Sequence, residues 1–261
     1  MSSFESFDGT SLAYETYGAL GDAPPVLLLH GFAADSNANW VRPRVVGALV
    51  AAGRHVVALD ARGHGSSDKP HDPAAYGDDA MVRDAQCLLD HLRFEQVHVC
   101  GYSMGAMTTF ALVAREPRAR SAVLGGVGAR LGGRQLAERA PVIADALLTG
   151  DAASITDRTA AAFRAFADST GADRAALAAI QRSRRASLPD ASAISVPTLV
   201  ITGDRDTLVG SPDGLAARIS GAIAKVVSGD HLSAVFDPAF REAIVAFLAD
   251  VDARSSSELP L

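Results

Sequence analysis

The sequence predicts an α/β protein: a mostly parallel sheet of about eight strands with helices on both faces. Three observations carry this. Short, continuous apolar runs recur along the chain, among them PPVLLLH (24–30), HVVALD (55–60), QVHVCGY (96–102) and PTLVITG (197–203). Such runs, bounded by turn residues, suit strands covered on both faces. Between them lie segments with apolar residues at helical spacing, such as DDAMVRDAQCLLDHL (78–92) and DPAFREAIVAFLADV (237–251). The alternation of the two builds parallel sheets through crossover helices.

Each element follows in order. FESF and SLAYETY flank the turn signal Asp8-Gly9 and read as a hairpin. PPVLLLH is a strand, and VRPRVVGALVAAG (41–53) is a helix ending at Gly53. HVVALD is a strand and 78–92 a helix. QVHVCGY is a strand, SMGAMTTFALVARE (103–116) a helix stopped by Pro117, and SAVLGGV (121–127) a strand. Residues 130–190 then hold no convincing strand. QLAERAPVIADALLTG and DRTAAAFRAFADST are amphipathic helical segments. The alternation returns with PTLVITG, a helix near SPDGLAARIS, the strand AKVVSG (224–229) and the last helix. The expected organisation is a core of residues 1–129 and 191–252, an inserted helical lid over 130–190, and a flexible tail over 253–261.

The chain has 261 residues, enough for one domain with an insertion, and 48% of them are hydrophobic. Aromatics make up only 6%, so Val, Leu, Ala and Ile must build the core. A net charge of −6 gives no reason to expect nucleic-acid or anionic-membrane partners. Arg182, Arg184 and Arg185 read as a solvated helix face. The two cysteines, Cys87 and Cys100, form no CxxC and suggest neither a disulfide framework nor a zinc site. Cys100 is expected to be buried. No signal peptide or apolar run of transmembrane length stands out, so the expected location is the cytoplasm.

In open parallel sheets, ligands bind beyond the carboxyl ends of the strands. There the residues are chemically unusual: His30-Gly31-Phe32, then DARGHGSSD (60–68), GYSMG (101–105), GDRD (203–206) and GDH (229–231). A serine, an acid and a histidine stand at three strand ends. A serine on a tight strand-to-helix turn is pushed out of the sheet edge, and flanking glycines make room for the turn. The helix N-terminus behind it favours an anion on a substrate carbonyl. Serine needs a base, and the base an orienting acid. Ser103, His231 and Asp206 fit those roles.

Taken together, these motifs resemble the α/β-hydrolase superfamily over roughly residues 5–250. The resemblance implies that Ser103 is the nucleophile, His231 the base and Asp206 the acid. Asp206 is taken over Asp204, which reads as a turn residue. The alternative acid position, after the preceding strand, reads GGVGAR and holds no carboxylate. It also implies an oxyanion hole from the backbone N–H groups of Phe32 and Met104. His30 is expected to be structural, His64 is not assigned to catalysis, and Asp60 and Arg62 are expected to pair. No spacing suggests a metal, and Gly63, Gly65, Gly101 and Gly105 make no dinucleotide fingerprint, so no cofactor is expected.

The implied reaction is hydrolysis of a small or medium carboxylic ester through an acyl-enzyme, with a small-molecule substrate and neither nucleic acid nor membrane as partner. Alternatives on the same scaffold are a lactonase, a carbon–carbon bond hydrolase and a slow-turnover ligand-binding or signalling homologue. Serine at 103 argues against the dehalogenase and epoxide-hydrolase branches, which use a carboxylate nucleophile. The lid has Phe163 and Phe166 as its large rings, and its arginines are nearly balanced by acids. Both point to a modest apolar pocket. Oligomeric state is not indicated.

Overall fold

The computed structural model describes residues 1–77, 79–132, 134–183 and 187–257. An eight-stranded sheet runs in the order β1-β2-β4-β3-β5-β6-β7-β8. Its strands are β1 (Ser2–Glu5), β2 (Ser11–Tyr17), β3 (Val26–Leu29), β4 (Val56–Leu59), β5 (Val97–Tyr102), β6 (Ala119–Gly125), β7 (Thr198–Gly203) and β8 (Ile223–Val227). Only β2 opposes its neighbours, pairing antiparallel with β1 and β4; the other pairings are parallel.

Strand periodicity explains why VLLL can be wholly apolar. Leu27 and Leu29 enter one core with α2 (Ala80–Leu92), α3 (Met104–Val113) and α7 (Pro212–Ala216). Val26 and Leu28 enter the opposite core with α1 (Val45–Ala51) and α8 (Pro238–Ser257). Each face of the strand therefore buries its own side chains. A third core forms beyond the carboxyl edge of the sheet. There α4 (Arg134–Leu148), α5 (Arg158–Thr170) and α6 (Arg174–Arg182) pack Ile143, Leu147, Ala160 and Leu177 with Phe32 and Met104.

The caps of these inserted helices are written in the sequence. Asp157 accepts from Ala160 N–H at the start of α5, and Asp173 accepts from Ala175 and Ala176 N–H at the start of α6. Gly171 ends α5 with φ 68°. Bonds from α5 and α6 help tie the insertion to the core. Thr170 Oγ1 donates to Ala33 O at 2.9 Å, and His71 Nε2 lies 3.0 Å from Asp173 Oδ2.

Three boundaries differ from expectation. The helix expected over 41–53 is broken: a π-helical turn at Asn37–Val41 precedes α1, and Arg44 between them has φ 65°. Pro43 has no N–H to carry the helix through. The helix expected over 78–92 begins at Ala80, with Asp78 outside the described residues. The expected tail over 253–261 is helical as far as Ser257, and residues 258–261 lie outside the description. One turn before the end of α8, Asp252 pairs with Arg54 and with buried His98, and this anchors the helix past the expected boundary. Arg184 and Arg185 of the arginine cluster also lie outside it. Among the described residues no helix is long and apolar enough to cross a membrane.

Candidate active site

Ser103 sits between β5 and α3 with φ 52° and ψ −109°, a conformation that costs a non-glycine residue energy. The surrounding contacts explain both glycines of GYSMG. A Cβ on Gly101 would lie 2.2 Å from Gly105 O and 2.4 Å from Thr109 Oγ1. A Cβ on Gly105 would lie 2.0 Å from Leu29 O. The helix therefore approaches the strand ends closely only because neither residue has a side chain. Ser103 N–H donates to Gly125 O at 2.8 Å, which pins the turn to β6.

The structure brings Ser103, His231 and Asp206 into one hydrogen-bonded row. Ser103 Oγ is 2.9 Å from His231 Nε2, and His231 Nδ1 is 2.7 Å from Asp206 Oδ2. The Asp206 carboxylate is fully buried, and its other oxygen accepts from Leu208 N–H at 3.0 Å. A carboxylate only accepts, so Nδ1 must carry the imidazole proton. In the neutral imidazole Nε2 is then the acceptor that faces the serine hydroxyl. Asp204 stands apart from this row. It accepts from Gly229 N–H at 2.8 Å and straps the β7 loop to the turn carrying His231. Gly203 completes the strap, since a Cβ there would meet Gly229 O at 2.2 Å.

Met104 follows Ser103 in the chain, and Phe32 and Met104 line the same cavity as Ser103 and His231. The loop before Phe32 is held rigidly. Gly31 N–H donates to Asn39 Oδ1 at 2.8 Å, and Ala61 N–H donates to His30 Nε2 at 3.0 Å. His30 Nδ1 then donates to Gly31 O at 2.8 Å. Ala33 N–H donates to His64 Nε2 at 3.2 Å. Both rings accept at Nε2, so both are neutral. Burial lowers the His30 pKa and, with His30 alongside, pushes His64 down to about 3.

The expected Asp60–Arg62 pair does not form. Arg62 makes a bidentate pair with buried Asp84, both contacts 2.6 Å, and a second pair with Asp8. Asp60 instead accepts from Ser36 and Ser66 N–H, each at 2.9 Å. Asn39, which braces the loop, carries no sequence signal. Tyr102 is a second residue that sequence reasoning missed. Its hydroxyl donates to His231 O at 2.8 Å, and its ring is buried against Phe240. The signal was present: a tyrosine on a buried strand needs a partner for its hydroxyl.

Two cavities meet at Ser103 and His231. One, of about 130 Å³, is walled by Met104, Met107, Val127, Ile143 and Phe163 among others. The other, of about 140 Å³, lies under Phe166, Val235 and Phe236. Phe32 and Phe163, their rings 5.7 Å apart, border both. Among the described residues no three His, Cys, Asp or Glu side chains gather to hold a metal.

The family model described as alpha/beta hydrolase fold matches residues 24–129. The chain is 30% identical over 210 residues to 3-oxoadipate enol-lactonase 2 of Acinetobacter baylyi, covering 74% of this chain and 78% of that one. The crystal structure of the enol-lactonase from Burkholderia xenovorans LB400 superposes with a TM-score of 0.73 at 29% identity, covering 95% of this chain and 100% of that chain. A thermophilic esterase from Thermogutta terrifontis shares the fold, with a TM-score of 0.75 at 24% identity over 96% and 99% of the two chains. The chain belongs to the α/β-hydrolase family and is a hydrolase.

Proposed function

We propose that the protein is a serine hydrolase that cleaves a carboxylic ester bond through an acyl-enzyme. The row Ser103–His231–Asp206 carries this reading, because its distances line up hydroxyl, imidazole and carboxylate in the order the reaction needs. Ser103 Oγ attacks the ester carbonyl as His231 Nε2 takes its proton. Asp206 holds the imidazolium that forms. The N–H groups of Phe32 and Met104 donate to the new oxyanion, with the α3 N-terminus behind them. His231 then gives its proton to the leaving alcohol, and water repeats the sequence on the acyl-enzyme. Every step uses groups of the chain and water.

The helices α4–α6 act as a lid in this reading, over a core of residues 1–129 and 191–252. The two small cavities beside Ser103 suit an acyl group on one side and a short leaving group on the other. That favours small or medium esters. A lactone is the second reading, favoured by the likeness to two enol-lactonases. Ring opening is the same chemistry with the leaving alcohol still attached. The proposed setting is the cytoplasm, which fits the two free cysteines. The test is a panel of methyl esters and five- and six-membered lactones, assayed with wild type and Ser103→Ala. Turnover of either class by wild type alone supports the reading. A ligand bound tightly with no turnover of any panel member would instead favour a binding homologue.

A further inference from the structure

The cavity under Phe166 and Phe236 differs in kind from its neighbour. Phe32, Phe163, Phe166 and Phe236 border it, four of the chain's ten phenylalanines, and Tyr102 and His231 add their rings. The neighbouring cavity has no ring of its own: Phe32, Phe163 and His231 border both, and its other walls are mainly aliphatic. Two of the rings are unspent. Phe236 is 52% exposed and Phe166 half-buried, and among the described residues neither packs against another ring. An apolar guest would take that surface out of water. The hydroxyls nearby are already used: Ser169 Oγ donates to Phe166 O at 2.8 Å, and Thr170 Oγ1 to Ala33 O at 2.9 Å. Exposed Arg42 and buried Asn39 line the cavity too, and Asn39 Nδ2 has no partner among the described residues. The volume, about 140 Å³, suits one six-membered ring, since an apolar cavity of about 150 Å³ holds a benzene molecule.

We propose that this cavity binds one aromatic ring, and that the ring belongs to the leaving alcohol of the ester. Phe166 and Phe236 offer edges and faces for edge-to-face or offset contact with an aromatic guest. The Arg42 guanidinium and the Asn39 N–H groups favour a π face over a saturated ring. The side is set by the base. His231 must reach the leaving oxygen to protonate it, and Leu232, Val235 and Phe236, from the chain just after His231, wall this cavity. The other cavity, along Met107, Val127 and Ile143, then takes a short aliphatic acyl group. The substrate class is a short-chain acyl ester of an arylmethanol. The acyl C–O bond breaks, His231 passes the serine proton to the arylmethanol oxygen, and water then takes the acyl group from Ser103. This rests on the ester-hydrolase reading and narrows it.

The test uses two isomers, benzyl acetate and methyl phenylacetate, which carry the same ring on opposite sides of the ester. Cyclohexylmethyl acetate is the saturated control, and hydrolysis is followed by base titration at constant pH. Wild type should prefer benzyl acetate to both by about tenfold or more in kcat/KM. In the double variant Phe166→Leu/Phe236→Ser, KM for benzyl acetate should rise about tenfold, with a much smaller change on methyl acetate. Phe236→Ser alone, at an exposed position, should show the same trend and serves if the double variant does not fold. Equal use of the two isomers, equal use of the aromatic and saturated rings, or an equal loss on benzyl and methyl acetate in the variants would overturn the proposal. Ring binding is also read without turnover, from the fluorine NMR shift of para-fluorobenzyl alcohol titrated with Ser103→Ala. A saturable shift, weakened when Phe236→Ser is added, is expected, and no saturable shift overturns the ring site. A saturable shift with no hydrolysis of any of these esters would contradict the ester-hydrolase reading instead, so the two failures are distinct.

Discussion

Ser103 is held in a conformation that serine does not favour, and the chain meets the cost with two glycines whose missing side chains let α3 press against the strand ends. Gly105→Ala should therefore be destabilised by about 1–3 kcal/mol or more, read from urea midpoints, because its methyl would strike Leu29 O. An alanine accepted without loss would mean the helix can shift. Tyr102→Phe tests the bond to His231 O. The variant should lose about 1 kcal/mol of stability and several-fold in kcat, with KM little changed, since the hydroxyl braces the histidine and touches no substrate. The residues of this site were legible to different degrees for a physical reason. Ser103, Asp206 and His231 are marked by local sequence, because each stands on a turn whose composition sterics dictate. Tyr102 acts through a bond to His231, far off in sequence, and Asn39 braces Gly31 from a π-helical turn that no local pattern marks. Arg62 was read against the nearest acid and pairs with two farther ones.

Among elements, the strands were legible in number and order, with ends shifted by up to about two residues, because burial on both faces demands continuous apolar runs. Helix ends were less so. α1 starts late because of Pro43 and Arg44, and α8 runs on because Asp252 is anchored from outside the helix. The insertion was legible as helices, but its charge layout was not. Balanced composition over 130–190 concealed that Arg130 and Arg139 border the cavity while Asp145 and Asp168 pair with Arg182 and Arg164. The insertion also touches the loop that carries Phe32, through Thr170 and Ala33. Thr170→Val removes that bond at nearly constant volume. It should lower kcat several-fold while leaving thermal stability within about 1 kcal/mol; an unchanged kcat would mean that the loop is fixed by His30, His64 and Asn39 alone.

On the scale of the whole molecule, buried neutral histidines set an acid limit on the fold. His98, deep under α8, is pushed by burial from 6.5 down to about 4, against the opposing pull of Asp252. His64 is lower still, at about 3. In the window below 6.5 the unfolded chain binds protons that the folded one refuses, so stability is full above that pH and falls as pH drops toward 4. His98 alone accounts for on the order of 3 kcal/mol across it. Urea midpoints at pH 7 and 4.5 should differ accordingly, and less so in His98→Gln; equal midpoints would contradict this. The central claim, that the fold exists to present an activated serine, has a more direct test. A fluorophosphonate is added and intact mass is recorded for wild type, Ser103→Ala and His231→Ala. A single adduct on wild type, none on Ser103→Ala and strongly slowed labelling of His231→Ala are predicted. An unlabelled wild type, or equal labelling of Ser103→Ala, would contradict the account.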